Sequence, residues 1–249
     1  MSSVGVLARH GLVLVRREPG PSISRLVSPI IVITLLEPLY SAASTGAGNG
    51  GAGQAVGAGL VLFSLLGMSV VAGMLLTERL WGTLDRLRAT PASPLAILTG
   101  KSLPAFGLVL AQQMIIIGYG VTVLDLRIGH PGLLAAGLFA WSVALLALGA
   151  AIGAAVRSPG QLTAVIDMGS ITLTAFSGAL IPLAQLPAWA ATIAPVSPGY
   201  WAIRAVTGAA REDATAVWTS VAVLLGIAAL AATAAAALLA AGWRRDRPS

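Results

Sequence analysis

Long apolar stretches recur along this chain of 249 residues and constrain its fold more than any other feature. Hydrophobic residues make up 57% of the sequence and charged residues 10%, whereas a soluble domain carries about 25% charged residues. A soluble core of this length cannot hide so much apolar surface, so the sequence predicts an all-α integral membrane protein. Because a helix needs about 20 residues to cross the bilayer, we expect a single domain, 1–249, with six transmembrane helices at 25–44, 58–77, 103–124, 132–156, 162–181 and 214–241.

Six spans place both chain ends on the same side of the membrane, and the basic residues indicate which side. Twelve of the fifteen Lys and Arg residues fall on the side of the chain ends, and only Arg127, Arg204 and Arg211 fall on the other. Because cytoplasmic loops carry the excess of basic residues, we expect cytoplasmic termini in the inner (cytoplasmic) membrane. Topology thereby explains the net charge of +6, and the expected surroundings are membrane lipids and not nucleic acid.

Four segments outside the spans differ in character. Residues 1–24 mix apolar and basic positions at near-helical spacing, which predicts an amphipathic segment on the membrane surface. The glycine-rich outer stretch 41–59 is uncharged and is predicted to be a flexible connection. The outer stretch 182–213 contains repeated prolines and tryptophans, which indicates short interfacial or re-entrant helices. On the inner side, 78–101 is the one sizeable loop.

Motifs for nucleotide, metal or hydrolytic chemistry fail on inspection. Gly100, Lys101 and Ser102 resemble the end of a phosphate-binding loop, but the first glycine of that pattern is replaced by Leu95 and no strand precedes it. The two histidines lack metal-binding neighbours, and neither H-E-x-x-H nor G-x-S-x-G occurs. We therefore expect no catalytic residue, metal or cofactor in this chain. An intramembrane enzyme with a Ser-Lys dyad is the alternative that the sequence leaves open.

Polar side chains inside the spans are costly and therefore informative. Glu37, directly before Pro38, is predicted either to line a cavity and interrupt the first helix or to lie among outer headgroups, and the sequence does not separate these interpretations. For Asp167 we favour pairing with a basic residue on the inner side. Gln112 and Gln113 are predicted either to line a pathway or to form hydrogen bonds between helices. With Phe176, the residues Glu37, Gln112 and Gln113 form the candidate substrate path.

The stretch ERLWGTLDRLRATP, from Glu78 to Pro91, concentrates charge between two apolar runs. As a helix it places Leu80, Leu84 and Leu87 on one face, and the Thr90-Pro91 pair ends it. A solvated, positively charged loop needs neither that apolar face nor a tryptophan, so the pattern favours docking onto a partner protein. The candidate docking residues are Glu78, Arg79, Gly82, Thr83, Leu84, Asp85, Arg86, Leu87, Arg88, Thr90 and Pro91.

The same stretch resembles the signature E-R-x-x-G-T-L-D-R-L-R-A-T-P of type-2 ABC exporter permeases, and most closely the daunorubicin/doxorubicin-resistance family of bacterial drug exporters. Three further stretches resemble that family and extend the likeness over nearly the whole chain. They are RREPGPSISRLVSPI (16–30), SPLAILTGKSLP (93–104) and FSGALIPLAQLPAWAATIAPVSPGYWAIRAVTG (176–208). Glu37 and the glycine-rich first outer loop depart from the family pattern.

The resemblance implies a permease subunit with six spans, a cytoplasmic coupling helix within 78–101 and outer re-entrant helices. The partners it implies are a cytosolic ABC ATPase subunit, which binds ATP and Mg, and a second permease copy or a sister permease. The implied activity is ATP-driven export of drugs or other amphipathic small molecules, with this chain as the non-catalytic subunit of an ATP-hydrolysing translocase. Lipid or cell-wall glycan export by the same fold, and a channel or scaffold protein, are the alternatives.

Overall fold

The computed structural model describes residues 19–43, 50–81 and 94–245, and within these the side chains of 26–42, 51–81 and 105–240. These described residues form α-helices and two short 3-10 turns, Leu183–Gln185 and Ala194–Val196, and contain no strand. The α-helices are α1 (Pro19–Ala43), α2 (Gly50–Leu80), α3 (Pro94–Val123), α4 (Pro131–Ala155), α5 (Pro159–Phe176), α6 (Ala188–Ile193), α7 (Pro198–Ala210) and α8 (Ala214–Arg245). The all-α prediction is confirmed for this part of the chain.

Long helices lie at all six predicted positions, but they differ in apolar length. Four of them, α2, α3, α4 and α8, contain stretches long and apolar enough to cross a membrane. The apolar part of α1, Leu26–Ala42, is shorter. The helix α5 has 18 residues and includes Asp167 and several hydroxyl side chains, and it is not one of the four.

The helices α2 and α4 form the centre of the fold. In each, 61% of the apolar window is buried, against 33% in α3 and 22% in α8, so α3 and α8 lie at the periphery. Glycine allows the two central helices to touch through their backbones. A Cβ added at Gly149 would lie 3.0 Å from the Met68 carbonyl oxygen, and one added at Gly153 would lie 2.6 Å from that of Ala72.

The glycine-rich stretch before α2 is not a flexible connection over its whole predicted length. The helix α2 begins at Gly50, so the prediction is wrong for 50–59. The glycines serve packing there, because a Cβ at Gly57 would lie 2.8 Å from the Ile203 side chain and one at Gly59 would overlap that of Ile33. Composition alone does not separate glycine used for flexibility from glycine used for close contact.

Other predicted boundaries also move. The helix α1 continues through Pro29 and Pro38, so the first helix is not interrupted after Glu37; prolines are tolerated inside such helices where neighbouring groups satisfy the freed carbonyls. The helix α3 begins at Pro94, inside the predicted loop 78–101, and α5 ends at Phe176 before the predicted position 181. Residues 1–18 of the predicted amphipathic segment lie outside the described residues.

The stretch 182–213, which is predicted to lie on the outer side, contains short helices, as predicted: α6 and α7 lie there, joined by the 3-10 turn Ala194–Val196. Ser197 caps α7 by accepting from the Gly199 amide, and its Oγ donates to the Leu173 carbonyl oxygen at 2.9 Å. A Cβ at Gly199 would lie 2.8 Å from Val61, which is about 16 Å along α2 from Gly50 at 1.5 Å per residue. The start of α7 therefore reaches the middle of the helical bundle.

Candidate substrate path and coupling segment

The predicted docking segment begins in the last turn of α2. Leu80 is 54% exposed and Trp81 is 78% exposed, so two large apolar side chains project from this end of the helix. Glu78 is half-buried, and Arg79 is exposed. The remaining predicted docking residues lie outside the described residues, and their helical conformation stays a prediction; they are Gly82, Thr83, Leu84, Asp85, Arg86, Leu87, Arg88, Thr90 and Pro91.

Arg79 contacts the end of a different helix, which sequence reasoning did not anticipate. Its Nη1 lies within hydrogen-bond distance of three carbonyl oxygens of the α4 C-terminus, at 3.0 Å for Gly153, 2.6 Å for Ala154 and 3.0 Å for Val156, and its two N–H groups are shared among them. The last carbonyl groups of a helix have no intrahelical donor and carry partial negative charge. A guanidinium supplies both the missing N–H donors and a positive charge. Arg79, at the start of the docking segment, is therefore also the cap of α4.

A cavity of about 260 Å³ lies among α1, α2, α3 and α5, and we call it the inner cavity. Its walls combine one carboxylate and three uncharged polar side chains with apolar groups. The lining residues are Ser28, Phe63, Leu66, Gly67, Ser69, Gln112 and Asp167. Hydroxyl, amide and carboxylate groups around apolar walls suit an amphipathic molecule, because such sites bind mainly by apolar contact and orient the ligand through a few polar groups.

Asp167 is an exposed side chain at the α5 wall of the inner cavity. Within the described residues it forms no ion pair, so the expected pairing with an inner basic residue is not seen there. A carboxylate in an apolar helix is costly unless it faces a cavity or a partner. The cavity is thus the feature of the fold that accounts for an acid at this position.

The two consecutive glutamines on α3 have different neighbours. Gln112 is 5% exposed, lines the inner cavity, and points its Nε2 toward the Phe63 carbonyl oxygen of α2 at 3.4 Å. Gln113 is fully buried, and its Oε1 accepts from Ser142 Oγ of α4 at 3.2 Å. Gln112 therefore borders a cavity and contacts α2, while Gln113 joins α3 to α4; a substrate path through Gln112 stays a prediction.

Glu37 lines a second, larger cavity of about 850 Å³. This cavity lies at the end of the bundle opposite the docking segment, and we call it the outer cavity. Glu37 is half-buried and accepts a hydrogen bond from Ser41, one turn later in α1. Asp125 and Glu212 also line the outer cavity, and both have left-handed backbone conformations, with φ of 53° and 61°. Arg127 is the basic residue of the lining. The candidate path residues Glu37 and Gln112 therefore belong to separate cavities.

Phe176 lines neither of these two cavities but packs against the short helix α6. Its ring packs edge-on against Trp189 of α6, with 5.9 Å between ring centroids. The segment after α5 is fixed through its carbonyl oxygens, since Gln54 donates to those of Gly178 and Ala179 and Tyr40 donates to that of Leu180. Sequence reasoning missed Tyr40 and Gln54, because their acceptors are backbone atoms more than 120 positions away.

Comparison with known families supports the assignment that these features suggest. The family model for the ABC-2 type transporter matches residues 2–210. No curated protein and no solved structure matches the chain. The predicted resemblance to type-2 ABC permeases is confirmed at the level of the family, while the daunorubicin-resistance subfamily stays a prediction. Because the match covers well over half of the sequence, this chain belongs to the ABC-2 type transporter family, the membrane components of ABC transporters.

Proposed function

We propose that this chain is the permease subunit of an ATP-driven exporter that moves amphipathic small molecules, drugs among them, out across the cytoplasmic membrane. Membership of the ABC-2 family supports a permease that works with an ATPase subunit. In the proposed arrangement all six long helices span the membrane, both termini are cytoplasmic, and the short helices α6 and α7 re-enter from the outside. The bias of twelve basic residues against three supports this orientation.

The observation that carries the proposal of small-molecule export is the inner cavity. It brings Gln112 and Asp167 together with apolar walls, in a bundle whose buried residues are mostly apolar. At about 260 Å³ it is somewhat smaller than the 300–1,000 Å³ typical of pockets for drug-sized ligands. A second permease copy or a sister permease against the exposed faces of α1 and α5 would enlarge it. Val27 on α1 and Met168 on α5 are among the apolar side chains exposed there.

Energy for export comes, in this proposal, from a cytosolic ATPase subunit that binds ATP and Mg and docks on the segment from Glu78 to Pro91. Exposed Leu80 and Trp81 at the start of the segment supply apolar contact area. Large aromatic and arginine side chains dominate the energetics of protein interfaces, and Arg86 and Arg88 follow within the segment. Binding of ATP would move the docked segment and, with it, the helices α2 and α3 that flank the inner cavity.

The test is co-purification of the chain with its cognate ATPase, comparing the wild type with the double reversal Arg86→Glu/Arg88→Glu. We expect a stable wild-type complex with ATPase activity and loss of association in the double variant. Arg157→Glu is the matched control, because it reverses a basic residue near the same end of the bundle outside the docking segment. Failure of the wild type to associate with the ATPase would overturn the exporter assignment and favour a channel or scaffold.

A further inference from the structure

The contact between Arg79 and the α4 C-terminus joins two parts of the chain that have different roles in the proposed function. Arg79 is the second residue of the docking segment and lies at the end of α2. Its three acceptors lie at the end of α4, a helix that does not border that segment in sequence; they are Gly153, Ala154 and Val156. One nitrogen, Nη1, reaches all three carbonyl oxygens. The guanidinium is permanently charged and more weakly hydrated than an ammonium, so it meets these carbonyl oxygens at a lower desolvation cost.

The helices behind this contact are packed too closely to slide independently. Gly153 and Gly149 bring α4 against the α2 backbone at Ala72 and Met68, at distances that leave no room for a Cβ. On α2 this backbone contact ends at Ala72, which is about two turns before Arg79. Close packing without free volume transmits displacement because the interior has low compressibility. As far as Ala72 and Gly153 the two helices therefore move as one unit, and beyond that point Arg79 fixes the last two turns of α2 to the end of α4.

The other end of α4 contacts α7. A Cβ at Gly137 would lie 2.9 Å from the Cβ of Ala205 on α7, and the His130 amide before α4 donates to the Ala209 carbonyl oxygen at 3.1 Å. The helix α4 also packs along α8 over much of its length. A displacement of the inner end of α4 thus has a continuous packed route to α7 and the outer side.

We propose that Arg79 is a positioning residue that makes the α4 C-terminus move together with the docking segment. This inference rests on the proposed function, since it assumes an ATPase that moves the segment. Through Arg79, the motion of the segment enters α4 as well as α2 and α3, and α4 carries it to α7 on the outer side. Without Arg79, the last two turns of α2 move with the segment and separate from the end of α4.

A distance measurement between the two helix ends tests the proposal without requiring a known substrate. The chain has no cysteine, so spin labels at Met74→Cys and Ala155→Cys, both exposed positions outside the docking segment, are specific. Short-range dipolar EPR is recorded on the complex with its ATPase, with and without a non-hydrolysable ATP analogue. We expect one narrow label-to-label distance that the nucleotide leaves unchanged. In the Arg79→Gln background the distance should shift or broaden when nucleotide binds, and Arg79→Lys should restore part of the wild-type behaviour.

Transport coupling gives the functional readout in proteoliposomes, with rhodamine 6G as the amphipathic probe. We expect Arg79→Gln to lower the amount of probe moved per ATP hydrolysed several-fold, with Arg79→Lys in between and Arg157→Gln at the wild-type ratio. Arg157→Gln removes a basic residue next to the α4 C-terminus that does not cap it.

The outcomes separate this inference from the proposed function. A nucleotide-dependent distance in the wild-type background, or an Arg79→Gln variant that behaves as the wild type in either measurement, would overturn the role of Arg79 and leave the exporter assignment standing. A wild-type chain that forms no complex with the ATPase would instead overturn the proposed function.

Discussion

Ser142 of α4 donates from its Oγ toward Gln113 Oε1 of α3 at 3.2 Å, and both side chains are fully buried. The same hydroxyl lies 2.8 Å from the Leu138 carbonyl oxygen of its own helix. A hydroxyl has one proton to donate, so Ser142 can donate either to Gln113 or to the Leu138 carbonyl oxygen. In the part of the chain that the structure describes, Gln113 Oε1 accepts from Ser142 alone. Within the described residues Gln113 Nε2 has no partner. The hydrogen bond between the two helices is therefore asymmetric.

This asymmetry predicts opposite results for two substitutions. Ser142→Ala should destabilise the protein by about 1 kcal/mol, since hydrogen bonds between membrane helices average about 0.6 kcal/mol and a buried acceptor is left unpaired. Gln113→Leu should be neutral or stabilising, because Ser142 keeps the Leu138 acceptor and an unpaired amide nitrogen is removed. Thermal unfolding in detergent measures both. Ser170→Ala is the control, because the buried Ser170 hydroxyl has no partner in the described residues and its removal should not destabilise the protein. Equal losses of thermal stability in Ser142→Ala and Gln113→Leu would contradict the prediction.

Gly153 is predicted to tolerate no side chain. A Cβ there would lie 2.6 Å from the Ala72 carbonyl oxygen and 2.9 Å from its Cα, which are backbone atoms that cannot rotate away. Gly153→Ala should therefore lower the unfolding free energy by about 1–3 kcal/mol, the usual cost of overpacking. Gly226→Ala on α8 is the matched control, because no atom lies within 4 Å of its added Cβ and alanine is the better helix former by up to about 1 kcal/mol. Thermal unfolding of both variants in the same detergent measures the difference in stability. A Gly153→Ala variant as stable as Gly226→Ala would show that α2 and α4 are not held in this contact.

Asp167 is predicted to favour positively charged substrates. The substitution Asp167→Asn removes the negative charge but leaves the size of the inner cavity almost unchanged. Transport of a cationic amphiphile such as rhodamine 6G should therefore fall several-fold relative to transport of a neutral amphiphile such as Nile red. Uptake into inverted vesicles energised with ATP measures the ratio. Asp125→Asn makes the same chemical change at the outer cavity and should leave the ratio at the wild-type value. An unchanged ratio in Asp167→Asn would remove this residue from the substrate path.

Trp81 is predicted to contribute directly to ATPase docking. Its side chain is 78% exposed at the end of α2, and truncating an aromatic anchor of an interface commonly costs about 2 kcal/mol or more of binding free energy. Trp81→Ala should therefore weaken ATPase binding by at least an order of magnitude, as measured by titration of the detergent-purified subunits. Trp218→Ala on α8, another exposed tryptophan at 56%, should bind as the wild type does. Equal loss of binding in both variants would indicate a general effect on the fold and not docking.

The fold class and the positions of the long helices could be predicted from the sequence because both depend on local composition. An apolar stretch of sufficient length forms a helix in a membrane wherever it occurs, since its backbone must be satisfied internally. The boundaries were less predictable. The helix α2 begins at Gly50 and α1 continues past Pro38, because contacts with neighbouring helices outweigh the local preferences of glycine and proline.

The candidate site shows the same division. Sequence alone determined that Gln112, Gln113 and Asp167 are polar groups in apolar helices, and that the stretch from Glu78 has an apolar face and a positive charge. Which of the two glutamines borders the inner cavity was decided only by tertiary structure, because neighbouring residues of a helix face directions about 100° apart. Likewise, counting charges placed Arg79 on the inner side but gave no sign of its acceptors. Those carbonyl oxygens lie 74 to 77 positions along the chain and come into reach because α2 and α4 pack backbone to backbone, a contact that local sequence does not encode.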